Sequence, residues 1–514
     1  MWIIKKYNKK LYVVGCVLLF CILLYTYYKF HEKVIVTSDN TTMLPLLKDW
    51  IEGNFLLRNW IVGTNNFFFT ETIWCMLGLL LGMDSIDIVY FIPAIFFVGF
   101  LFFSSYFFIW ENATVDKRVK RISMFVFFAV IGIVPISSSY ALLNLNSHNG
   151  LYLFIILEIV LVLEYLKKPG NIRYIFLYIV VGIGVCFSDG MSLMILIAPV
   201  VGFSCYNCFF EGGERRKSII IFCSSIIMYF IAKLCEILLE NTGGMITRGI
   251  PIQITSFDMI PQRLKGFFRA GKGFLGFSIS NNLYWGIMIV LGAFFVYSFV
   301  LCLIKIFFHK IEKETLIIWL IIAFNLIGCL CTNVAIVDRY IAPTYLFGGL
   351  LSCIELSNIL KLLGNKALKY AKVIICLCMF IIAGARISEN IRAPKLGMEE
   401  KKVVAFLEEN NYGNGYADFW CGSVLSSYSN FEIEIYPIWS NADMLSPYDE
   451  LINKDWYREK NIHYIIMNAD DSQNAFCKKR QVIEILGIPQ EENIFGKYEI
   501  LYWNKDISDY ICSN

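Results

Sequence analysis

Between residues 11 and 385 the chain is a succession of apolar runs separated by short polar loops. A helix that crosses a bilayer needs about 20 mostly apolar residues. On that measure 11–28, 88–109, 122–140, 151–166, 174–187, 191–208, 218–238, 283–307, 315–332, 341–360 and 371–385 are predicted spans. That makes eleven, within a range of 11–13 that the pattern allows, with the short apolar stretch 71–81 read as a partial or juxtamembrane helix. From 388 the pattern changes. Helical periodicity covers 398–409, 422–428 and 480–486, while 412–419, 432–437, 463–467 and 498–503 read as extended or alternating strands. Such alternation favours a partly parallel sheet. The predicted architecture is a mainly α-helical polytopic membrane domain over 1–387, followed by a water-facing α/β domain over 388–514.

Composition agrees and narrows the class. Hydrophobic residues make up 57% and charged residues 17% of the chain, against about 45–50% and about 25% in soluble domains. A soluble enzyme, a nucleic-acid binder and a disulfide-stapled secreted module are excluded. The 388–514 segment holds 12 Lys and Arg against 21 Asp and Glu, whereas the preceding residues hold 33 against 21. Excess Lys and Arg mark cytoplasmic loops. Lys5, Lys6, Lys9 and Lys10 precede the first span, and 117–121, 167–173, 215–217, 309–313 and 361–369 are basic. All fall on one side of an eleven-span alternation, so the N-terminus is expected in the cytoplasm of a multi-pass plasma-membrane protein. The tail, the first outer loop 29–70 and the loop 240–282 are then extracytoplasmic. The spacing of Met43, Leu46, Leu47, Trp50 and Ile51 predicts an amphipathic helix in the first loop, lying in the membrane interface.

Seventeen cysteines carry little signal, because most lie in apolar helices where Cys behaves as a small hydrophobe. No phosphate-cradling loop, GxSxG or HExxH motif is present. Polar residues at the outer ends of spans are therefore the informative set. Asp39, in Thr37-Ser-Asp-Asn-Thr41, reads either as a helix N-cap or as a functional carboxylate. Glu71 opens the 71–81 stretch, His148 lies in Asn144-Leu-Asn-Ser-His-Asn-Gly150, and Asp189 occupies a very short turn between spans. Asp338-Arg339-Tyr340 begins a late span. The loop 240–282 is basic through Arg248, Arg263, Lys265 and Arg269, which suits either phosphate binding or unspecific attraction to anionic lipid.

In its order of elements the chain resembles the GT-C superfamily of membrane glycosyltransferases, which includes protein O-mannosyltransferases and aminoarabinose–lipid A transferases. The resemblance rests on the Asp39 loop, Thr70-Glu71-Thr72, Phe-Ser-Asp189-Gly, Arg339-Tyr340-x-x-Pro343 and a soluble C-terminal domain. It implies a polyprenyl-phosphate sugar donor, a lipid or glycan acceptor, and inversion at the transferred sugar. Asp39 and Glu71 would be catalytic, while His148, Asp189, Arg248, Arg263, Lys265, Arg269, Asp338, Arg339 and Tyr340 would bind substrate. A divalent metal, where used, would take Asp39, Glu71 and His148. Many members carry two adjacent acids in the first loop, whereas this chain has Asp39-Asn40. A non-enzymatic flippase or transporter of lipid-linked glycans is the alternative reading.

Overall fold

The computed structural model describes residues 18–511 except 19, 30, 112–114, 169–170, 250–251, 442 and 470–475. Among them, seven helices are long and apolar enough to cross a membrane: Ser85–Trp110, Asn149–Lys167, Leu193–Phe210, Arg215–Asn241, Asn282–Phe307, Lys313–Cys331 and Asn365–Arg392. The other four expected spans each differ for a physical reason. Residues 11–17 and 19 of the 11–28 run lie outside the described residues, with 20–29 helical. Arg173–Ser188 has 16 residues, or about 24 Å of rise against a hydrocarbon core of about 30 Å. Asp338–Leu360 is long enough, but Thr344, Ser352, Glu355 and Ser357 lower its apolarity. Most of its length is buried in protein, so it needs no continuous lipid-compatible surface.

The 122–140 run is the fourth. It is two helices, Lys117–Gly132 and Ile136–Leu143, bent by 95°. Pro135 lacks an N–H and disfavours helical backbone in the residue before it, so the ladder stops there. A break among membrane helices strands carbonyls that lipid cannot satisfy. Side chains satisfy them here. Buried Arg386 donates to the carbonyls of Val130, Ile133 (2.9 Å) and Phe274 (3.3 Å). Tyr345 Oη donates to Val130 O at 2.6 Å, Asn390 Nδ2 to Val134 O at 2.9 Å, and the Tyr27 hydroxyl to Gly132 O. The second arm of the bend leads into the Asn144–Gly150 segment.

The short stretch at 71–81 is a partial helix, a 3-10 turn at Thr72–Trp74 followed by Cys75–Leu80. The amphipathic helix of the first loop forms at Met43–Ile51, but its setting differs from the expectation. Met43, Leu44, Leu46 and Leu47 are each at most 5% exposed, because the apolar face packs into the protein, with Trp60, Val62 and Met245 around Met43 and Leu46. Protein covers the face from Met43 to Leu47, while Trp50 is half-buried and Ile51 stays exposed.

Nine strands occur among the described residues. In chain order they are β1 (Trp60–Val62), β2 (Ile246–Thr247), β3 (Gly415–Asp418), β4 (Ile435–Ser440), β5 (Leu445–Pro447), β6 (Ile452–Asn453), β7 (Tyr464–Asn468), β8 (Glu491–Phe495) and β9 (Tyr498–Tyr502). Six of them form the tail's sheet, ordered β5-β4-β3-β7-β9-β8. Its centre is parallel, β4 with β3 and β3 with β7, and its edges are antiparallel. Helices Met398–Glu409, Gly422–Tyr428 and Lys479–Leu486 stand where periodicity places them. A second sheet, β2-β1-β6, draws one strand from each of the segments 29–70 and 240–282 and one from the tail. Ile61 pairs with Ile246 on one side and Ile452 on the other. Lys454 N donates to Asn59 O at 2.9 Å, Asn59 Nδ2 to Asp455 Oδ2 at 2.7 Å, and the Trp60 and Trp456 rings meet edge-on at 5.2 Å. The tail is thereby fastened to both loops at one end of the bundle.

A candidate active site beneath the C-terminal domain

Asp39 lies in the short helix Ser38–Thr41, whose N-cap is Thr37. Capping falls to its neighbours. Asn40 Oδ1 accepts from Thr37 N at 3.0 Å and from Thr37 Oγ1 at 2.9 Å. The Asp39 carboxylate instead faces Arg339, with Oδ2 3.6 Å from Nη1. The two side chains are 25% and 27% exposed, enough to meet a ligand. Burial raises the Asp39 carboxyl above its ordinary range, against the pull of the Arg339 guanidinium. Arg339 Nε is buried and has no hydrogen-bond partner among the described residues. That N–H is therefore free to donate to an acceptor that enters the site.

The Asn-rich loop after the bent span forms the floor. Asn146 and His148 both adopt left-handed backbone, with φ of 60° and 66°, a conformation that Asn and His tolerate better than most residues. Asn40 Nδ2 donates to Leu145 O at 2.7 Å, Asn144 Nδ2 to Ile35 O at 2.6 Å, and Asn146 Nδ2 to the carbonyl of Asp39 itself. Glu71 is fully buried beneath this loop, accepting from the backbone N–H of Asn146 and, at 3.3 Å, of Gly150. Burial pushes its carboxyl up to about 8, with the Asn146 amide pulling the other way. Gly150 is required by contact, since a Cβ there would stand 1.9 Å from Thr70 O.

His148 and Asp189 are also buried, and Nδ1 lies 2.6 Å from Oδ2. Asp189 Oδ1 accepts from Met191 N at 3.0 Å, which closes the short turn. That turn is stitched to the first loop, with Phe67 N donating to Ser188 O at 2.9 Å and Phe69 N to Ser188 Oγ at 2.8 Å. The His148 ring touches Phe67 and Tyr340, at centroid distances of 5.2 and 5.6 Å. Tyr340 in turn lies under the Arg339 guanidinium at 5.4 Å. Pro343, inside the Asp338–Leu360 helix, has no N–H for the carbonyl of Arg339 four residues earlier. Tyr152 Oη donates to that carbonyl instead, at 3.0 Å. Asp39, Glu71, His148, Asp189, Arg339 and Tyr340, dispersed over 300 residues of chain, thus form one connected set. Asp338 sits beside them in the first turn of the same helix.

The basic loop is not gathered with them. Arg263 is spent on the end of the Lys313–Cys331 helix, donating from Nε and Nη2 to Cys329 O at 3.0 and 2.8 Å. Lys265 and Arg269 are exposed on the helix Ile260–Gly271, among exposed Leu264 and Phe268. That exposed amphipathic surface stands apart from the Asp39 set. Arg248 comes nearest, leaving β2 to donate to Asp449 O at 3.1 Å and to face its carboxylate at 3.5 Å. The three residues that would take a metal are otherwise engaged. Glu71 is occupied by amides and His148 Nδ1 by Asp189. Among the described residues no group of three or more His, Cys, Asp or Glu is arranged to hold a metal ion. The donor set does not fit one.

Residues the sequence does not advertise complete the site. The tail's 448–450 segment reaches it, and Glu450, raised first by burial, feels Arg248 and Asp39 with opposite sign. Ser38 Oγ donates to the carbonyl of Phe419, and Thr42 Oγ1 to Ser423 Oγ at 3.1 Å. The Gly422–Tyr428 helix of the tail therefore rests on the turn that presents Asp39. No protein-family model matches the chain, and no curated protein matches it in sequence.

Proposed function

We propose that the chain is a GT-C-type membrane glycosyltransferase, moving a sugar from a polyprenyl-phosphate donor to a lipid or glycan acceptor outside the membrane. The observation that carries the reading is Asp39 set against Arg339, half-open, with a buried Arg339 N–H left unpartnered. A carboxylate that burial makes more basic suits general-base work. Asp39 takes the proton of an acceptor hydroxyl, whose oxygen attacks the anomeric carbon from the face opposite the phosphate. The bond from that carbon to the phosphate oxygen breaks, the configuration inverts, and the lipid phosphate departs as an anion. Arg339 turns its guanidinium to that phosphate, where a fixed cation lowers the cost of developing charge. Glu71, His148 and Asp189 are positioning residues, because they are buried and engaged with backbone or each other. No step uses a metal. The topology that accompanies this reading has eleven crossings of the plasma membrane, a cytoplasmic N-terminus and an extracytoplasmic tail.

Asp39→Asn is the test. Asn40 supplies the cap, so the variant should insert and melt like wild type while consumption of labelled polyprenyl-phosphate sugar falls about 10²–10⁴-fold. Unchanged turnover in a stable variant would sink the general-base assignment. Movement of intact donor lipid across vesicles, with no glycosidic bond broken, would favour the transporter instead.

A further inference from the structure

At the end of the bundle away from the tail, two helices open a groove of about 520 Å³, within the range of ligand sites. It lies between the first turns of Lys117–Phe127 and Asn365–Arg392. Arg118, Arg121, Lys369 and Lys372 line it, and among the described residues no acidic side chain does. Asp116 is close in sequence, but its carboxylate caps the helix by accepting from Arg118 N at 2.7 Å. On this side Lys167 and Lys168 pair with Glu164, Lys217 with Glu214, and Lys313 with Glu211 and Glu214, whereas Lys361 and Lys366 form no ion pair among the described residues. The four groove cations have no such partner among the described residues. Arg118 also stands in the first turn of its helix, where the macrodipole is itself positive and a cation is unfavourable. An anion held between them removes both penalties.

The walls state what kind of anion. Ile122 and Phe125 lie one turn further along their helix, and Leu368 and Cys376 face them. The Phe125 and Phe380 rings, 5.9 Å apart, extend this apolar surface toward the middle of the span. Cations at the mouth over apolar walls suit an amphiphile, a phosphate headgroup with hydrocarbon running up the groove. The groove is distinct from the Asp39 site. Lys369 and Asn390, which binds the bent span at the tail end, are separated by about 30 Å of helix at 1.5 Å per residue.

We propose that this groove binds a phospholipid with two phosphates in its headgroup, taken from the leaflet on that side, with the arginines forking phosphate oxygens and the lysines supplying point charge. The inference is independent of the transferase reading, and its test does not read activity. The full chain, purified in detergent, is titrated with cardiolipin, phosphatidylglycerol, phosphatidylcholine and a polyprenyl phosphate, followed by native mass spectrometry and by melting temperature. One cardiolipin should be retained at least about tenfold more tightly than phosphatidylglycerol, with a saturable rise in melting temperature and a loss of both at high salt. Arg121→Gln with Lys372→Gln should weaken retention about tenfold, while Lys361→Gln with Lys366→Gln, nearby but outside the groove, should not. Equal retention of cardiolipin and phosphatidylglycerol by wild type would overturn the proposal and leave the cations only their part in orientation. Tighter retention of the polyprenyl phosphate would overturn it in favour of an isoprenoid site. Both outcomes are read on the wild-type chain, so a variant that fails to insert does not shield the proposal.

Discussion

At the scale of single residues, the site divides into an open face and a buried frame. Asp39 and Arg339 retain some exposure, whereas Glu71, His148 and Asp189 retain almost none. Glu71 yields a sharp pH prediction. Its carboxyl is raised from 4.5 to about 8 by burial, so between those values the native state binds the proton more tightly than the unfolded chain. The contribution to stability is full below about 4.5 and is lost as pH rises through about 8. The melting temperature of wild type should fall from pH 5 to pH 8.5 by more than that of Glu71→Gln, which cannot ionise. Parallel curves for the two would show that Glu71 is not the titrating group. Some of this was legible in the chain. A carboxylate in the first loop and another in a turn with no room to hide are visible without a structure. The role of Asn146, whose backbone grips Glu71 and whose side chain grips Asp39, is not. It depends on contacts 75 and 107 residues away, and an Asn in a loop is commonplace. Glu450 was hidden for the same reason, as one acid among many in an acidic tail.

At the scale of elements, periodicity served the long pieces and failed the short ones. The tail's helices fall within a residue or so of their expected bounds because several turns of amphipathic pattern define them. Strands of two or three residues, such as β1, β2 and β6, contain no measurable period, and partners from distant loops decide them. The bent span was a different failure. Apolar run length hides a break, although Pro135 was in view as its signal. Arg386 is what makes the break tolerable, and its loss should be felt. Arg386→Leu leaves the carbonyls of Ile133 and Phe274 without their side-chain donor, while Val130 keeps Tyr345, at roughly 1–3 kcal/mol for each group left unsatisfied. We expect a lower melting temperature in detergent for the leucine variant and partial recovery for Arg386→Lys, which retains the charge without the fork. A leucine variant as stable as wild type would mean that other donors cover the break. Ile452→Pro removes the backbone donor of β6 beside Ile61. It should loosen the tail, seen as faster proteolysis of the 388–514 segment, while the membrane helices remain inserted.

At the scale of the whole molecule, orientation is the first thing to measure. Ile488 is 80% exposed on the tail, so Ile488→Cys offers a handle where Cys421 and Cys477 are buried. In intact cells a membrane-impermeant maleimide should label it, and labelling only after lysis would reverse the assignment of sides and remove the site from the outer face. The β2-β1-β6 sheet has a further consequence, for the timing of assembly. Asn59 and Asp455, which flank it, are 396 residues apart in the chain. At about 5–20 residues per second, a nascent chain waits roughly 20–80 s between making the first strand and making the last. Throughout that interval the edge of β1 that β6 will cover stays open, with β2 the one partner strand made in the meantime, and the turn carrying Asp39 lacks its cover from Phe419 and Ser423. The membrane helices can be inserted and packed while the site is still open and unfinished. Translation of the tail is the closing event, so a ribosome that stalls before residue 450 releases a chain that is anchored but without its β6 strand.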